Sequence, residues 1–407
     1  MRKNSILLLT KDAMCVDYLP CYGNRYWKGK TPNLDALVEK GTLYTRYYTV
    51  APSSNMSYLA MCTGKFPYEL GISNYVHLEK DYEALTLFDR AYEFGYSCHI
   101  LWDETWMADV AYARCYGKHT VFHPIKDLGK GVGSYFKHEG FLVPDEDEVQ
   151  RSLQKLREEL DQIAASDESI FLWIHLPHDI NGRVSFGGDI YVYDEMIGIL
   201  REYFSDDYIY ISADHGNMNG HEGVLGYGFH CRENEIRIPL ISPRKGGLAV
   251  CDELMCNVDT YDLIFGSEIP VREHVFSDTK YYAQPNRILA IIKGKYKYLY
   301  YKDNGTEELF DLFWDPKEQF SLISDMHHDI ARNADYPARE HFFYDSWDKL
   351  PQVRDDFRKL RASMWRDLSK GQKIYRKCRR FAGKVYRAPK KAMKKVKDVL
   401  GGTNERK

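Results

Sequence analysis

The sequence predicts an α/β fold with a doubly wound, largely parallel sheet flanked by helices, followed by a small C-terminal antiparallel subdomain and a basic C-terminal tail. Three observations predict this architecture. Apolar runs alternate with helical patterns over the first 268 residues, which is typical of parallel sheets. From about Val271 the apolar runs are separated by turns instead. Residues 370–407 are dominated by lysine and arginine.

The elements can be assigned in order along the chain. Continuous apolar runs predict buried strands, and amphipathic runs between capping residues predict helices. The predicted parallel strands are SILLLT, SCHILW, IFLWIHL and YIYISADHG. The predicted helices between them are TPNLDALVEKG, TLFDRAYEFGY, DEDEVQRSLQKLREELDQIAAS and YDEMIGILREYF. The predicted antiparallel segments are HVFSD, RILAIIKGKYKYLYY and EELFDLFWDP.

These patterns divide the chain into four predicted parts. Residues 1–268 form the α/β domain, and residues 269–335 form a small subdomain of the same unit. Residues 336–369 are expected to form a helical extension, and residues 370–407 a basic amphipathic tail.

Composition limits the class of protein. The chain has 407 residues, of which 44% are hydrophobic, enough for a sizeable core. It has no uninterrupted apolar run of about 18 residues, so we expect no transmembrane helix. The N-terminal run in MRKNSILLLTKD is too short for a signal peptide and is expected to be a strand. Nine cysteines without paired spacing predict free thiols in a reducing cytoplasm.

The tail separates the charges of the chain. Residues 370–407 carry 15 basic and 2 acidic residues, a net charge of +13, while the rest of the chain carries −16. A rough apolar stripe lies among the cations, formed by Ile374, Cys378, Phe381, Val385 and Met393. This pattern favours a peripheral position on the anionic inner membrane surface. A disordered basic tail and a nucleic-acid patch are the alternatives, and the acidic body makes nucleic acid the weaker one.

Polar residues follow two of the predicted strands. Asp12 comes after SILLLT, and Asp214 with His215 comes after YIYIS. Ligands bind at the carboxyl ends of parallel strands, and mixed oxygen and nitrogen ligands suit a divalent metal ion. The alternative is that Asp12 caps a loop and that Asp214 and His215 begin a turn before Gly216.

A pair of serines opens the helix in VAPSSNMSYLAMCTGKFPYELG. A small hydroxyl at this position can cap the helix, or it can act as a nucleophile. The helix N-terminus adds positive potential for an incoming anion. The residues in this stretch alone leave both roles open for Ser53 and Ser54.

Several ordered motifs resemble the sulfatases of the alkaline phosphatase superfamily over about residues 4–325. They include ILLLTKDAMCVDYLPCYGN, the segment from TPNLDALVEKG to FPYELGI, YISADHGNMNGHEG with IRIPLIS, and GKYKYLYY with ELFDLFWDPKEQFSLI. The resemblance implies an alkaline phosphatase-like fold. It also implies that Asp12, Ser54, Asp214 and His215 bind one divalent ion (zinc, manganese, calcium or magnesium), and that Ser54 is the nucleophile while Ser53 is a cap.

The chain departs from the family at the nucleophile. Sulfatases carry Cys/Ser-x-Pro/Ala-x-Arg, whereas Met56 and Tyr58 stand at the last two conserved positions here. We therefore expect no formylglycine. Asp103 and Glu104, in ILWDETW, stand where the family has a lysine-tryptophan-histidine stretch. With an unmodified hydroxyl as nucleophile, the chain resembles the phosphoglycerol and phosphoethanolamine transferases of the superfamily, whose nucleophile is an unmodified threonine or serine.

Three further histidines follow from the resemblance. His178, in WIHLPHDING, is expected to bind the ester or protonate the leaving oxygen. His230 is the second catalytic candidate, since it could contact the anion in place of a family lysine or histidine. His221 lies with His230 in the segment NGHEGVLGYGFH, called the glycine-rich loop below. His221 and Asn55 are assigned to substrate binding.

The sequence thus predicts a metal-dependent hydrolase or transferase of sulfate or phosphate esters that acts through a serine nucleophile. A surface-glycan precursor is one candidate substrate. The alternative is a protein that keeps the fold but has lost catalysis and serves as a binding or scaffold protein at the membrane.

Overall fold

An eight-stranded sheet forms the centre of the computed structural model. The model describes residues 4–70, 84–103, 119–125, 135–138, 141–144, 146–176, 190–218, 224, 226–279, 287–323 and 349–364. The strands of the main sheet are β1 (Ile6–Lys11), β2 (Thr42–Tyr44), β4 (Ser97–Asp103), β5 (Thr120–Ile125), β8 (Ile170–Leu176), β9 (Ile209–Ala213), β10 (Leu240–Ser242) and β11 (Val250–Cys251). Shorter pairs are β3 (Tyr47–Tyr48) with β12 (Met255–Cys256), and β6 (Tyr135–His138) with β7 (Phe141–Pro144).

Seven α-helices lie between the strands of the main sheet or follow them in the described part of residues 1–268. They are α1 (Pro32–Lys40), α2 (Ser54–Thr63), α3 (Leu87–Glu93), α4 (Glu146–Ala164), α5 (Ile190–Tyr203), α6 (Glu233–Ile236) and α7 (Thr260–Phe265). Their apolar positions supply buried side chains, among them Leu34, Phe88 and Leu156. The strand–helix alternation predicted from the sequence is confirmed.

The order of the sheet is β11-β2-β10-β9-β1-β8-β4-β5. Strand β1 pairs in parallel with β8 on one side and with β9 on the other. Strand β10 runs antiparallel to both of its neighbours, so the sheet is mixed but mostly parallel. Every residue of β1, β8 and β9 is buried. The carboxyl ends of these three central strands therefore lie side by side.

A second, four-stranded antiparallel sheet confirms the predicted C-terminal subdomain. Its strands, in order, are β13 (His274–Asp278), β14 (Ile288–Lys293), β15 (Tyr296–Tyr301) and β16 (Glu307–Asp311). The buried Lys297 of β15 pairs with Glu233 of α6 at 3.0 Å and with Glu318 at 2.9 Å. An unpaired buried charge is costly, so these ion pairs hold the small sheet against α6.

The chain divides into two compact units, residues 1–346 and 347–407. In the second unit the structure describes one helix, α8 (Leu350–Met364), which lies inside the predicted helical extension. The tail, residues 370–407, lies outside the described residues. Within the described part of the chain, no helix combines the length and the apolar character needed to cross a membrane.

Candidate metal and nucleophile site

The ends of β1 and β9 bring two buried carboxylates together. Lys11 and Ala213 are opposite each other in the parallel ladder, so Asp12 and Asp214 follow neighbouring strands. The Asp12 N–H donates to the carbonyl of Leu176 (2.8 Å), and the Ala13 N–H donates to Asp214 Oδ1 (3.0 Å). Asp12 and Asp214 are 1% and 0% exposed, which is unusual for carboxylates.

His215 points a nitrogen at both carboxylates. Its Nδ1 lies 2.7 Å from the carbonyl oxygen of Gly216, and a carbonyl can only accept, so Nδ1 carries the proton. When the ring is neutral, the other nitrogen, Nε2, presents a lone pair. Nε2 lies 3.5 Å from Asp12 Oδ1 and 3.4 Å from Asp214 Oδ2.

Ser54 completes the cluster from the first turn of α2. Its Oγ lies 3.0 Å from His215 Nε2. The helix is anchored to β9 because Ser57 Oγ donates to the carbonyl of Asp214 (2.6 Å), and Asn257 Nδ2 donates to Ser57 Oγ (2.8 Å). Gly64, at φ 61°, ends the helix in a left-handed conformation that favours glycine.

The charges at the cluster favour a cation. Burial raises the pKa of Asp214, but the charge that His215 and His175 carry when protonated and the hydrogen bonds from Ser54 and the His215 N–H lower it, so the pKa lies below its usual value. A second carboxylate and a nitrogen lone pair face the same point, and this arrangement is repulsive without positive charge. The cluster therefore has the electrostatics of a cation site.

The geometry fits a divalent ion. Ligands bound tetrahedrally at about 2.1 Å lie about 3.4 Å apart, close to the separations of His215 Nε2 from the two carboxylates. The hydrogen bond from His215 Nδ1 to a carbonyl is the support that metal-binding histidines usually have. Asp12, Asp214, His215 and Ser54 are the residues that would hold the ion.

His175, at the end of β8, belongs to the same cluster and was missed by the sequence analysis. Ligand atoms of Asp12, His175 and Asp214 lie within 4.8 Å of one another. Burial lowers the pKa of His175 to about 4, so the ring is neutral at pH 7. Its Nδ1 contacts Thr10 Oγ1 at 2.9 Å and its Nε2 contacts the Tyr58 hydroxyl. With both nitrogens engaged, His175 is a weaker ligand candidate than His215.

Tyr58 explains the departure from the sulfatase signature. The ring is 1% exposed and packs against Trp102 and His175, each at a centroid distance of 4.8 Å, and against Trp173 at 5.6 Å. An aromatic cluster therefore fills the position where the family has arginine.

Backbone constraints hold the loops that carry the ligands. A Cβ on Gly216 would lie 1.9 Å from the carbonyl oxygen of Asn234, so only glycine fits there. Ala13 has a left-handed φ of 54°, which costs about 1–2 kcal/mol for a residue other than glycine. Asn217 Nδ2 donates to the Ala13 carbonyl (2.7 Å) and holds this conformation.

An aromatic side chain from the glycine-rich loop covers the histidine. The Tyr227 ring lies 4.4 Å from the His215 ring, centroid to centroid. The half-buried His230 follows in the same loop, and its N–H donates to Glu235 Oε2 (2.9 Å). The proposed role of His230 stays a prediction. His178, His221 and Glu104 lie outside the described residues.

Two residues beside Ser54 carry buried polar atoms without partners. Ser53 is the N-cap residue of α2, but its side chain makes no capping hydrogen bond, contrary to its predicted role as a cap. Ser53 Oγ and both amide atoms of Asn55 are buried and have no hydrogen-bond partner among the described residues. Burying such an atom costs about 1–3 kcal/mol.

Comparison with solved structures finds the same fold in several proteins. A phosphonate monoester hydrolase of Agrobacterium radiobacter is 14% identical, with a TM-score of 0.61 over 91% of this chain and 99% of its own. A protein solved with its substrate D-glucosamine-2-N,6-O-disulfate is 14% identical, with a TM-score of 0.60 over 88% and 98%. A 2-O glycosaminoglycan sulfatase is 14% identical, with a TM-score of 0.61 over 88% and 94%.

No protein-family model and no curated protein matches the sequence. The mixed eight-stranded sheet, the small antiparallel sheet and the solved neighbours show a sulfatase-like fold. The resemblance predicted from the motifs is confirmed at the level of the fold.

Replacing Asp214 tests the metal site. We expect Asp214→Asn to weaken the binding of Mn²⁺ or Zn²⁺ by more than about 100-fold, because a charged ligand is lost. In the presence of a chelator its unfolding midpoint should equal or exceed that of the wild type, because like charges no longer face each other. Calorimetric titration and thermal unfolding measure these effects.

The matched control is Asp207→Asn, an exposed carboxylate just before the start of β9. It should bind metal as the wild type does. Full metal binding by Asp214→Asn would contradict the assignment.

Proposed function

We propose that this protein is a metal-dependent hydrolase or transferase that cleaves sulfate or phosphate esters, with Ser54 as an unmodified nucleophile. The observation that carries the proposal is the position of Ser54 Oγ, 3.0 Å from His215 Nε2 in a cluster with Asp12 and Asp214. A hydroxyl so placed, at a helix N-terminus, is positioned to attack an anionic ester.

The proposed reaction has two steps. A divalent cation held by the cluster would supply positive charge that favours the ionised Ser54 hydroxyl and the developing negative charge. Ser54 gives up its hydroxyl proton to solvent, and its Oγ forms a bond to phosphorus or sulfur while the bond to the ester oxygen breaks. That oxygen leaves with the electron pair and takes a proton from His178 or from water. Water or a sugar hydroxyl then attacks the ester on Ser54, which regenerates the serine hydroxyl.

Histidines outside the cluster are proposed to assist these steps. His178 would bind the ester or give the leaving oxygen its proton. His230 and His221 would contact the equatorial oxygens of the anion. Each role follows from the family resemblance and awaits a test.

The structure supports an unmodified serine. Formylglycine formation in sulfatases requires the signature that Met56 and Tyr58 replace here. Tyr58 is built into an aromatic cluster with Trp102 and Trp173, so its replacement of arginine is part of the core packing.

The solved neighbours suggest the class of substrate. One was solved with a disulfated glucosamine, and another is a phosphonate monoester hydrolase. Both substrates present a tetrahedral anionic centre, and the first is a sugar. A sulfated or phosphorylated glycan precursor is therefore our proposed substrate. A scaffold role without catalysis is the alternative that the lost signature favours.

Substitution of Ser54 tests the nucleophile. We expect Ser54→Ala to lower turnover of 4-nitrophenyl sulfate or bis(4-nitrophenyl) phosphate by more than about 1000-fold, because no hydroxyl remains to attack. Ser54→Thr should keep part of the activity, since the hydroxyl is preserved. Steady-state kinetics and intact mass of the trapped covalent ester measure both.

Peptide mass at position 54 provides the control for modification. It should correspond to serine. A peptide lighter by two hydrogens, with aldehyde reactivity, would show formylglycine and contradict the unmodified nucleophile. Wild-type protein that binds metal but turns over no ester would favour the scaffold role.

The tail is proposed to place the enzyme on the cytoplasmic face of an anionic membrane. Fifteen basic residues in residues 370–407 can each contribute about 1 kcal/mol near such a surface. The apolar stripe around Phe381 and Val385 would lie in the interface. A membrane position would bring the enzyme close to lipid-linked glycan precursors.

Deletion of residues 370–407 tests this location. The truncated protein should lose sedimentation with phosphatidylserine-containing vesicles, because the remaining chain carries −16, and turnover of a soluble ester should stay nearly unchanged. Binding of the full chain should weaken steeply with salt. Equal vesicle binding with and without the tail would contradict the proposal.

A further inference from the structure

Polar atoms on both sides of Ser54 lack hydrogen-bond partners among the residues that the structure describes. Ser53 and Asn55 are 1% and 2% exposed. Ser53 Oγ, Asn55 Nδ2 and Asn55 Oδ1 meet no hydrogen-bond partner in the part of the chain that the structure describes. Buried polar side chains are rarely left this way, and such atoms call for a ligand or another explanation.

The same atoms lie at the positive end of a helix. Helix α2 has ten residues, and Ser53 at the N-cap leaves its N–H groups uncapped by a side chain. Asn55 is the second residue of the helix, in its first turn, and Cα–Cβ bonds in a helix tilt toward the N-terminus. Backbone N–H groups, the Ser53 hydroxyl and the Asn55 amide can therefore donate to one anion.

These donors are uncharged. Tyr58, in place of the family arginine, is packed in the aromatic core. The single negative charges of Asp12, Asp214 and an ionised Ser54 would together offset the charge of a divalent cation. The described part of the site therefore has no excess positive charge to offset a doubly charged substrate.

We propose that Ser53 Oγ and Asn55 Nδ2 bind non-bridging oxygens of a singly charged tetrahedral centre, a phosphodiester or a sulfate monoester, and that Asn55 sets the preference for it over a phosphate monoester. The proposal rests on the proposed function, since Ser54 would attack that centre. Hydrogen bonds from neutral donors hold a single charge without the strong attraction that binds a dianion.

The test measures binding, with turnover prevented by Ser54→Ala in the full chain with Mn²⁺. Calorimetry compares dimethyl phosphate and methyl sulfate, which are singly charged, with methyl phosphate, which is doubly charged at pH 8. We expect one of the singly charged probes to bind tightest, and this comparison separates phosphodiester from sulfate. Adding Asn55→Ala should weaken that binding about 10- to 100-fold.

Asn33→Ala is the matched control. Asn33 holds the second position of α1, as Asn55 does in α2, but its amide donates to Asp194 at 3.1 Å and 3.2 Å. Asn33→Ala should lower the unfolding midpoint and leave anion binding unchanged. Asn55→Ala should not lower the midpoint, because it removes a buried amide that has no partner.

The outcomes separate the inference from the proposed function. Any one of four results would overturn the inference. These are equal probe binding with and without the Asn55 side chain, tighter binding of methyl phosphate than of the singly charged probes, no binding of any probe, and a loss of unfolding midpoint in Asn55→Ala like that of Asn33→Ala. If the wild type turns over esters and Asn55→Ala does not change that turnover, the proposed function is supported and the inference about Asn55 is contradicted. Anion binding that depends on Asn55, in a wild type without turnover, would support the subsite and contradict the enzyme.

Discussion

One electrostatic constraint governs the site: two buried carboxylates face the Nε2 atom of a buried histidine. Asp12 and Asp214 lie about the same distance from His215 Nε2, 3.5 Å and 3.4 Å, and all three side chains are buried. Such a group is unfavourable in a dry interior unless positive charge neutralises it. A divalent cation held here by the two carboxylates and the histidine would offset the negative charge and would lie beside the Ser54 hydroxyl.

The rest of the fold keeps this arrangement in place. Parallel β1 and β9 deliver the two carboxylates to the same edge of the sheet. Ser57 anchors α2, the helix that begins at Ser54, to the end of β9, and Asn217 stabilises the strained backbone at Ala13. The site is therefore supported by strand ends and buried hydrogen bonds, which is the arrangement that holds reacting groups accurately.

The part of the structure that could be predicted follows from local pattern. Buried strands are recognisable as apolar runs, and the polar residues directly after them, Asp12 and Asp214, are identified by that position alone. His175 was missed because it lies inside the run IFLWIHL, where a histidine reads as part of the strand. The two- and three-residue strands β2, β10 and β11 are too short for a periodic signal. The missing cap at Ser53 and the aromatic environment of Tyr58 depend on contacts between distant residues, which no local pattern records.

Anomalous diffraction from crystals of the full chain grown with Mn²⁺ would locate a cation bound at this cluster. We expect a peak about 2.0–2.3 Å from carboxylate oxygens of Asp12 and Asp214, from His215 Nε2 and from Ser54 Oγ. No peak in this cluster would contradict the metal assignment. A peak bound by His175, with the Tyr58 hydroxyl displaced and His215 unligated, would contradict it as well.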